Sequence, residues 1–484
     1  MNENLIRQKT IGACPPSSTL LDRQQGIKLV AWITILLVSL MTELWAEPPG
    51  VYALRDARIV RVSGPVIEHG TVVVRDGLIE SVGESVAPPA DAWVIDCKGL
   101  VVYPGLIDAL STWGLTNTPI ATAGPGRGGA GVGQATVAVS TTPATTNLPA
   151  AASSTARGPE DRPSNTAYLK AADQIFPNDR AIEMARNTGY TTAVTFPNSN
   201  IFSGQGSVIN LAGDRVGQMV IADAIGQLIT LRTAGPRNFP GSLMGTIAYI
   251  RQVYLDADHY KLARSIYAKH PQGLQRPAYD RTLEGVLASA RVLLPAVREV
   301  EIERMLALAK ELKLNVVLYG GHEAWRSTEI LKQTSTPVLV SLKYPERARD
   351  ADPSLDEPLR VLELRDKSPN TGCALAKAGV KFAFYSDGIA APRELLRAVK
   401  KAIDAGLPAE AAVRALSLSA AEIYGVDDRL GSIDKGKIAN LVVADGDLFA
   451  EKTKIRYVFV DGGKFEPLLD EPAPRPGARG GATP

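Results

Sequence analysis

Between Gly99 and Gly114 the chain reads GLVVYPGLIDALSTWG, an apolar strand that turns a Pro-Gly corner into a second apolar strand ending on polar residues. Short apolar runs bounded by turn residues read as buried strands. Downstream the pattern changes to alternation. Asn178-Asp179 caps a helix through Arg186, Gly189 ends it, and Tyr190 to Phe196 is a β-branched strand. Later, Arg291–Val297 reads as a strand, Ile302–Leu312 as a helix, Asn315–Tyr319 as a strand and Trp325–Gln333 as a helix. Pro337–Leu342 then reads as a strand, Thr371–Ala378 as a helix and Val380–Tyr385 as a strand. Such alternation implies a parallel sheet with right-handed crossovers, and the count suits a closed (β/α)8 TIM-like barrel.

The two ends of the chain are of another kind. Ala57–Val62, Val66–Arg75, Leu78–Val82 and Trp93–Cys97 read as short strands, with Asp76-Gly77 supplying a hairpin turn. Ile438–Ala444 and Arg456–Asp461 repeat the style, with Asp461-Gly462-Gly463 as a second turn. Neither group buries a face alone, so the ends are expected to pair into a small composite β-sandwich domain beside the barrel. The expected division is β domain over 47–104 and 427–466 and barrel over 105–426.

Arg23 and Lys28 precede an apolar run from Leu29 to Leu40, and Ala46 stands before Glu47-Pro48-Pro49. This is the layout of an export signal over 1–46, implying a periplasmic or extracellular protein. The run is shorter than the roughly 20 apolar residues of a membrane span, so no stable span is expected once the signal is cleaved. Cys97 and Cys373 would then remain, and no disulfide is expected of a barrel this large. A net charge of +2 on 484 residues, without a basic cluster, argues against nucleic acid as a partner. Residues 118–163, mostly Ala, Gly, Thr and Pro, read as a disordered insertion, and 467–484 as a disordered tail. Gly126 to Gly131 matches a dinucleotide fingerprint in form only, since no apolar strand precedes it.

Pro104-Gly105-Leu106-Ile107-Asp108, together with Leu430-Gly431-Ser432-Ile433, Lys435-Gly436-Lys437 and Ala439-Asn440-Leu441-Val442, resembles the opening and closing motifs of the amidohydrolase superfamily, and Pro197-Asn198-Ser199-Asn200 with Ser203-Gly204-Gln205-Gly206, which reads as a loop after the strand Tyr190–Phe196, resembles a loop of its imidazolonepropionase-like branch. The closing motif of those proteins usually carries Asp where Asn440 stands. The resemblance implies a hydrolase acting on non-peptide carbon–nitrogen bonds of small or cyclic amides at the C-terminal face of a barrel. It also implies a metal site built on two histidines of the first strand, further histidines on the fifth and sixth, and an aspartate ending the eighth. Here Leu110 and Thr112 stand at the positions of the first pair. Of the four histidines, His69 lies in the β domain, while His259 and His270 read as surface residues.

Asp387, in Phe384-Tyr385-Ser386-Asp387-Gly388, stands where the last-strand aspartate is expected and is the candidate catalytic residue; capping of the helix Pro392–Ala405 is an equal reading. His322, Lys343 and Asn198 are candidate substrate-binding residues. No metal ligand set is expected, and zinc only in an altered mononuclear site that includes Asp387. Two functions stay open: an exported hydrolase with a degraded metal centre, and a catalytically inactive homologue acting as a binding or partner subunit. Expected partners are a small amide ligand and a homo-oligomer or a hetero-oligomer with a complete homologue.

Overall fold

The structure, a computed structural model, describes residues 50–115, 162–234, 238–348, 350, 352, 354, 356–389 and 391–467. The expected export signal, nearly all of the expected insertion and all but the first residue of the expected tail lie outside the described residues. In chain order the strands are β1 Val51–Ile59, β2 Ile67–Arg75, β3 Leu78–Gly83, β4 Trp93–Asp96, β5 Val101–Pro104, β6 Leu106–Ser111, β7 Tyr190–Thr195, β8 Phe202–Gln205 and β9 Ser207–Asn210. They continue as β10 Val220–Ala222, β11 Gln227–Ile229, β12 Val292–Ala296, β13 Val316–Gly320, β14 Val338–Ser341, β15 Phe382–Tyr385, β16 Leu441–Ala444, β17 Ile455–Val460 and β18 Gly463–Phe465.

Both chain ends enter one eight-stranded sheet, in the order β18-β17-β16-β5-β1-β2-β3, with β4 paired to β1. The junction is the antiparallel ladder of β5 and β16, from Val101 opposite Ala444 to Pro104 opposite Leu441. Asp76 (φ 50) and Gly77 (φ 80) make one hairpin turn, and Asp461 (φ 51) and Gly462 (φ 75) the other. The two turns abut: a Cβ on Gly462 would fall 2.7 Å from Gly77 Cα, so glycine is required there. The described strands are linked into one connected sheet that curls over its own core, so that Tyr52 of β1 meets Phe459 of β17 edge to face. A bulge lies in β1, which begins earlier than Ala57. Tyr52–Arg55 pair with β4, Asp56 takes φ 57, and Arg58–Ile59 pair with β5. One strand thus turns a corner between two neighbours.

The remaining strands form two sheets, β10-β9-β7-β6 and β15-β14-β13-β12-β11-β8. β6 and β7 are parallel, as are β11 through β15 in succession. Residues 202–210 run continuously from one sheet into the other, β8 pairing with β11 and β9 with β7. At the changeover, Gly206 N–H donates to Gly226 O and Gly206 O accepts from Ile225 N–H, at 2.9 and 3.0 Å. A Cβ on Gly206 would meet the Phe196 ring at 2.3 Å. Ser203-Gly204-Gln205-Gly206, a loop by composition, is therefore buried, its first three residues within β8 and Gly206 at the junction with β9.

Alternation along β12 to β15 sorts the side chains onto two faces. Val292, Leu294, Val316, Leu318, Val338, Val340, Phe382 and Phe384 join the large core under the helices. Leu293, Val317, Leu339 and Ala383 join Ile107, Leu110, Val194 and Leu228 in a second core on the other face. The helices Glu299–Glu311 and Thr371–Ala378 supply Ile302, Met305, Leu306 and Leu375 to the first. Both faces are dry, which is why these strands read as unbroken apolar runs.

Candidate functional site

The C-terminal ends of β6, β13, β14 and β15 bring together most of the polar residues singled out by sequence. Asp387 follows β15 with a left-handed backbone (φ 48), and its Oδ2 accepts a 2.8 Å hydrogen bond from Ser341 Oγ at the end of β14. The same Oγ accepts from Lys343 N–H at 3.1 Å, so it is fixed from both sides. Of the two readings of Asp387, helix capping is not its role: the following helix, Pro392–Asp404, has Ala391 at its cap.

His322 is buried just past β13. Its Nε2 lies 3.0 Å from Lys343 O, and its own carbonyl accepts from Thr371 Oγ1 at 3.0 Å. Burial lowers its pKa below 6.5, the carbonyl of Lys343 and the charges of Asp387 and Glu323 opposing only in part. A carbonyl can only accept, so the neutral ring carries its proton on Nε2 and leaves Nδ1 as a buried acceptor with no partner. Lys343 is half-buried and joins His322 through its main chain; among the described residues no ion pair is formed by its ammonium.

Asp108 is a residue that sequence reasoning used only as a landmark. It is 1% exposed; Oδ1 accepts from Ser386 N–H at 2.9 Å and, more weakly, from Leu110 N–H at 3.4 Å, while Oδ2 has no partner. Burial pushes its pKa up to about 7, the hydrogen bonds from Ser386 and Leu110 pull back, and the charge of Asp387 adds to the rise. The signal that it was more than a landmark was an acid inside a run of apolar residues.

Asn198 lies elsewhere on the rim, after β7, where its Oδ1 accepts from Arg232 Nη2 at 2.7 Å. Tyr319 stands between the two groups. Its hydroxyl donates to Ile229 O at 3.0 Å, at the end of β11, and its ring meets Tyr385 edge to face, 6.5 Å between centroids. Burial raises the phenol's pKa, the charge of Asp387 raises it further and that of Arg232 lowers it, so both charges reach this one hydroxyl.

A divalent cation is what the family resemblance would place at these strand ends, and the donors present do not fit it. Leu110 packs in the inner core with Ile107, Ala109 and Phe196. Thr112 is half-buried, its carbonyl accepting from Leu115 N–H. Among the described residues no three His, Cys, Asp or Glu side chains lie together as a metal site would require. Cys97 and Cys373 are both free and buried, and His259 and His270 are exposed.

With this geometry in view, the chain can be set beside known proteins. Residues 286–464 match the amidohydrolase family. The fold is similar to that of an amidohydrolase from Thermotoga maritima, with a TM-score of 0.66 and 26% identity over 86% of this chain and 100% of that one. A Halalkalibacterium halodurans protein named as an adenine deaminase is 28% identical over 150 residues, 30% of this chain and 24% of its own. A dihydroorotase from Geobacter sulfurreducens is 38% identical over 55 residues, 11% of this chain and 13% of its own. The chain therefore spans about a quarter or less of the curated relatives it matches, but all of the solved one. In fold, and in sequence over residues 286–464, it is similar to proteins of the amidohydrolase superfamily.

Proposed function

We propose that the two wall sheets close into one (β/α)8 barrel and that this protein is an exported hydrolase of the superfamily, acting on carbon–nitrogen bonds of small or cyclic amides at the barrel mouth. Relatives named as an amidohydrolase, an adenine deaminase and a dihydroorotase support the reaction class. Closure is supported by the strand that changes sheets at Gly206 and by the bond from Ser386 N–H to Asp108, which ties the far edges of the two sheets. Export rests on the N-terminal pattern; among the described residues no helix is long and apolar enough to cross a membrane.

The observation that carries the reading is Asp387, held at the end of β15 by Ser341 beside a second carboxyl that burial keeps protonated up to about 7. Two neighbouring acids in unlike environments divide the labour of proton transfer. Asp387 takes the proton of the attacking water and returns it to the leaving nitrogen. Lys343, His322 and Asn198 line the approach. The metal-binding imidazoles have been exchanged here for Leu110 and Thr112, so the centre is degraded and no step passes through a cation.

The second reading is a catalytically inactive binding or partner subunit. A positioned base contributes about 10²- to 10⁴-fold, whereas enzymes reach at least about 10⁶-fold. Full-length protein purified without chelators, assayed on a panel of cyclic amides and analysed for zinc, separates the two. Turnover that survives a chelator and falls at least about 100-fold in Asp387→Asn supports the hydrolase. Tight amide binding without turnover supports the second reading, and stoichiometric zinc lost in Asp387→Asn overturns the altered centre.

A further inference from the structure

The rim opposite Asp387 holds a cation that the proposed reaction does not use. Arg232 lies three residues beyond the end of β11, exposed, and among the described residues no carboxylate pairs with it. It is nevertheless held in place. Its carbonyl accepts from Thr246 Oγ1 at 3.2 Å, and Thr246 is fully buried on the long helix Leu243–Lys269. Its guanidinium donates to Asn198 Oδ1 at 2.7 Å. The loops after β7 and β11 are laced together just below, Thr230 N–H donating to Ile201 O at 2.8 Å and Thr230 Oγ1 to Asn200 O at 3.0 Å.

An arginine held through one nitrogen still presents the rest of its planar fork, which matches a carboxylate in two parallel hydrogen bonds. Position gives that fork a partner. β7 and β11 point the same way as β13 and β15, since the continuous strand β8–β9 is antiparallel to both. Arg232 and Asp387 thus share one end of the wall, with the Tyr319 hydroxyl, bonded to Ile229 O, between them. An amide bound with its reactive carbon at Asp387 would reach back across Tyr319 towards Arg232.

We propose that Arg232, oriented by Asn198, is the specificity-determining residue of this mouth and anchors a free carboxylate on the amide substrate. The substrate class is then an acid-bearing amide: an N-acyl amino acid, or a cyclic amide with a ring carboxylate. This rests on the amide pocket proposed above.

The test measures binding to the full chain by ligand-observed NMR, using N-acetyl amino acids and 5-oxoproline against the primary carboxamide of each. Exposure discounts the pairing, so the acid should bind up to about fivefold tighter than its carboxamide, about 1 kcal/mol. Arg232→Gln should erase that preference and Arg232→Lys restore part of it, with carboxamide binding unchanged in both, and Asn198→Ala should reduce the preference. Equal binding of acid and carboxamide by the natural chain overturns this inference and leaves the amide pocket standing. So does an equal loss of both ligands in Arg232→Gln, which would make Arg232 a tie between loops. Failure of every acid and carboxamide to bind overturns the amide pocket and this inference with it.

Discussion

Replacing Asp108 by Asn tests the electrostatics of the strand-end site directly. The side chain is 1% exposed, so solvent screening gives no reason to discount its surroundings. A carboxyl moved from 3.8 to about 7 on folding costs about 4 kcal/mol at high pH, at 1.36 kcal/mol per pH unit. The sign follows from proton binding. Below pH 3.8 both folded and unfolded chains hold the proton and nothing is lost; between 3.8 and about 7 the unfolded chain gives it up while the folded chain keeps it, so stability falls as pH rises. The amide introduced by Asp108→Asn would keep the bond from Ser386 N–H through its Oδ1 and place an NH₂ where Oδ2 has no partner. The variant should therefore match the natural chain near pH 4 and exceed it by up to about 4 kcal/mol at pH 8. Urea denaturation at a series of pH values reads the difference. Because a chain of this size need not unfold in one step, infrared difference spectra of the two proteins give a second readout, the protonated carboxyl band lost on substitution. Superimposed pH profiles, or a band already gone at pH 5, would refute the burial argument.

Three further outcomes are expected. In Gly105→Ala the new Cβ would lie 2.1 Å from Thr191 Oγ1, inside a wholly buried contact, so the variant should lose about 1–3 kcal/mol or more by thermal denaturation, partly recovered in combination with Thr191→Ala. Asn440→Asp should destabilise by about 1–3 kcal/mol at pH 7, because Nδ2 donates to Thr192 Oγ1 at 3.0 Å and Asn210 Oδ1 at 2.7 Å; an unchanged urea midpoint would mean that Asn210 turns its amide to compensate. His322, whose folded pKa lies below 6.5, makes the protein lose stability as pH falls through 6.5, where the unfolded chain takes up a proton that the folded one refuses. His322→Gln keeps a donor for Lys343 O and should lessen the loss of urea midpoint between pH 7 and pH 5.

What could be read from the sequence was whatever depends on near neighbours. Asp76-Gly77 and Asp461-Gly462 marked hairpins because a tight turn demands positive φ from those residues. Asp179 marked a helix start, and its carboxylate does accept from Ala181 N–H at 2.9 Å. The strands from Val292 to Tyr385 showed as apolar runs because both of their faces are covered. What could not be read depends on residues far apart in the chain. Gly204 and Gly206 looked like loop because nothing local says that Phe196 and Leu169 take the space of their missing side chains. The bulge at Asp56 is likewise decided by β4 and β5. At the site, Asp387 and His322 were found by type and place, but their tie through Ser341 and Lys343, and Arg232 on the rim, needed the strands to be set side by side.

The ladder between β5 and β16 also imposes an order of events on a growing chain. Pro104 pairs with Leu441, so at about 5–20 residues per second the roughly 340 residues between them take some 17–70 s to leave the ribosome. For that interval one edge of β5 has no partner of its own, a sticky border open to other chains. A cell making this protein must shield the nascent β5 edge until β16 arrives to seal it.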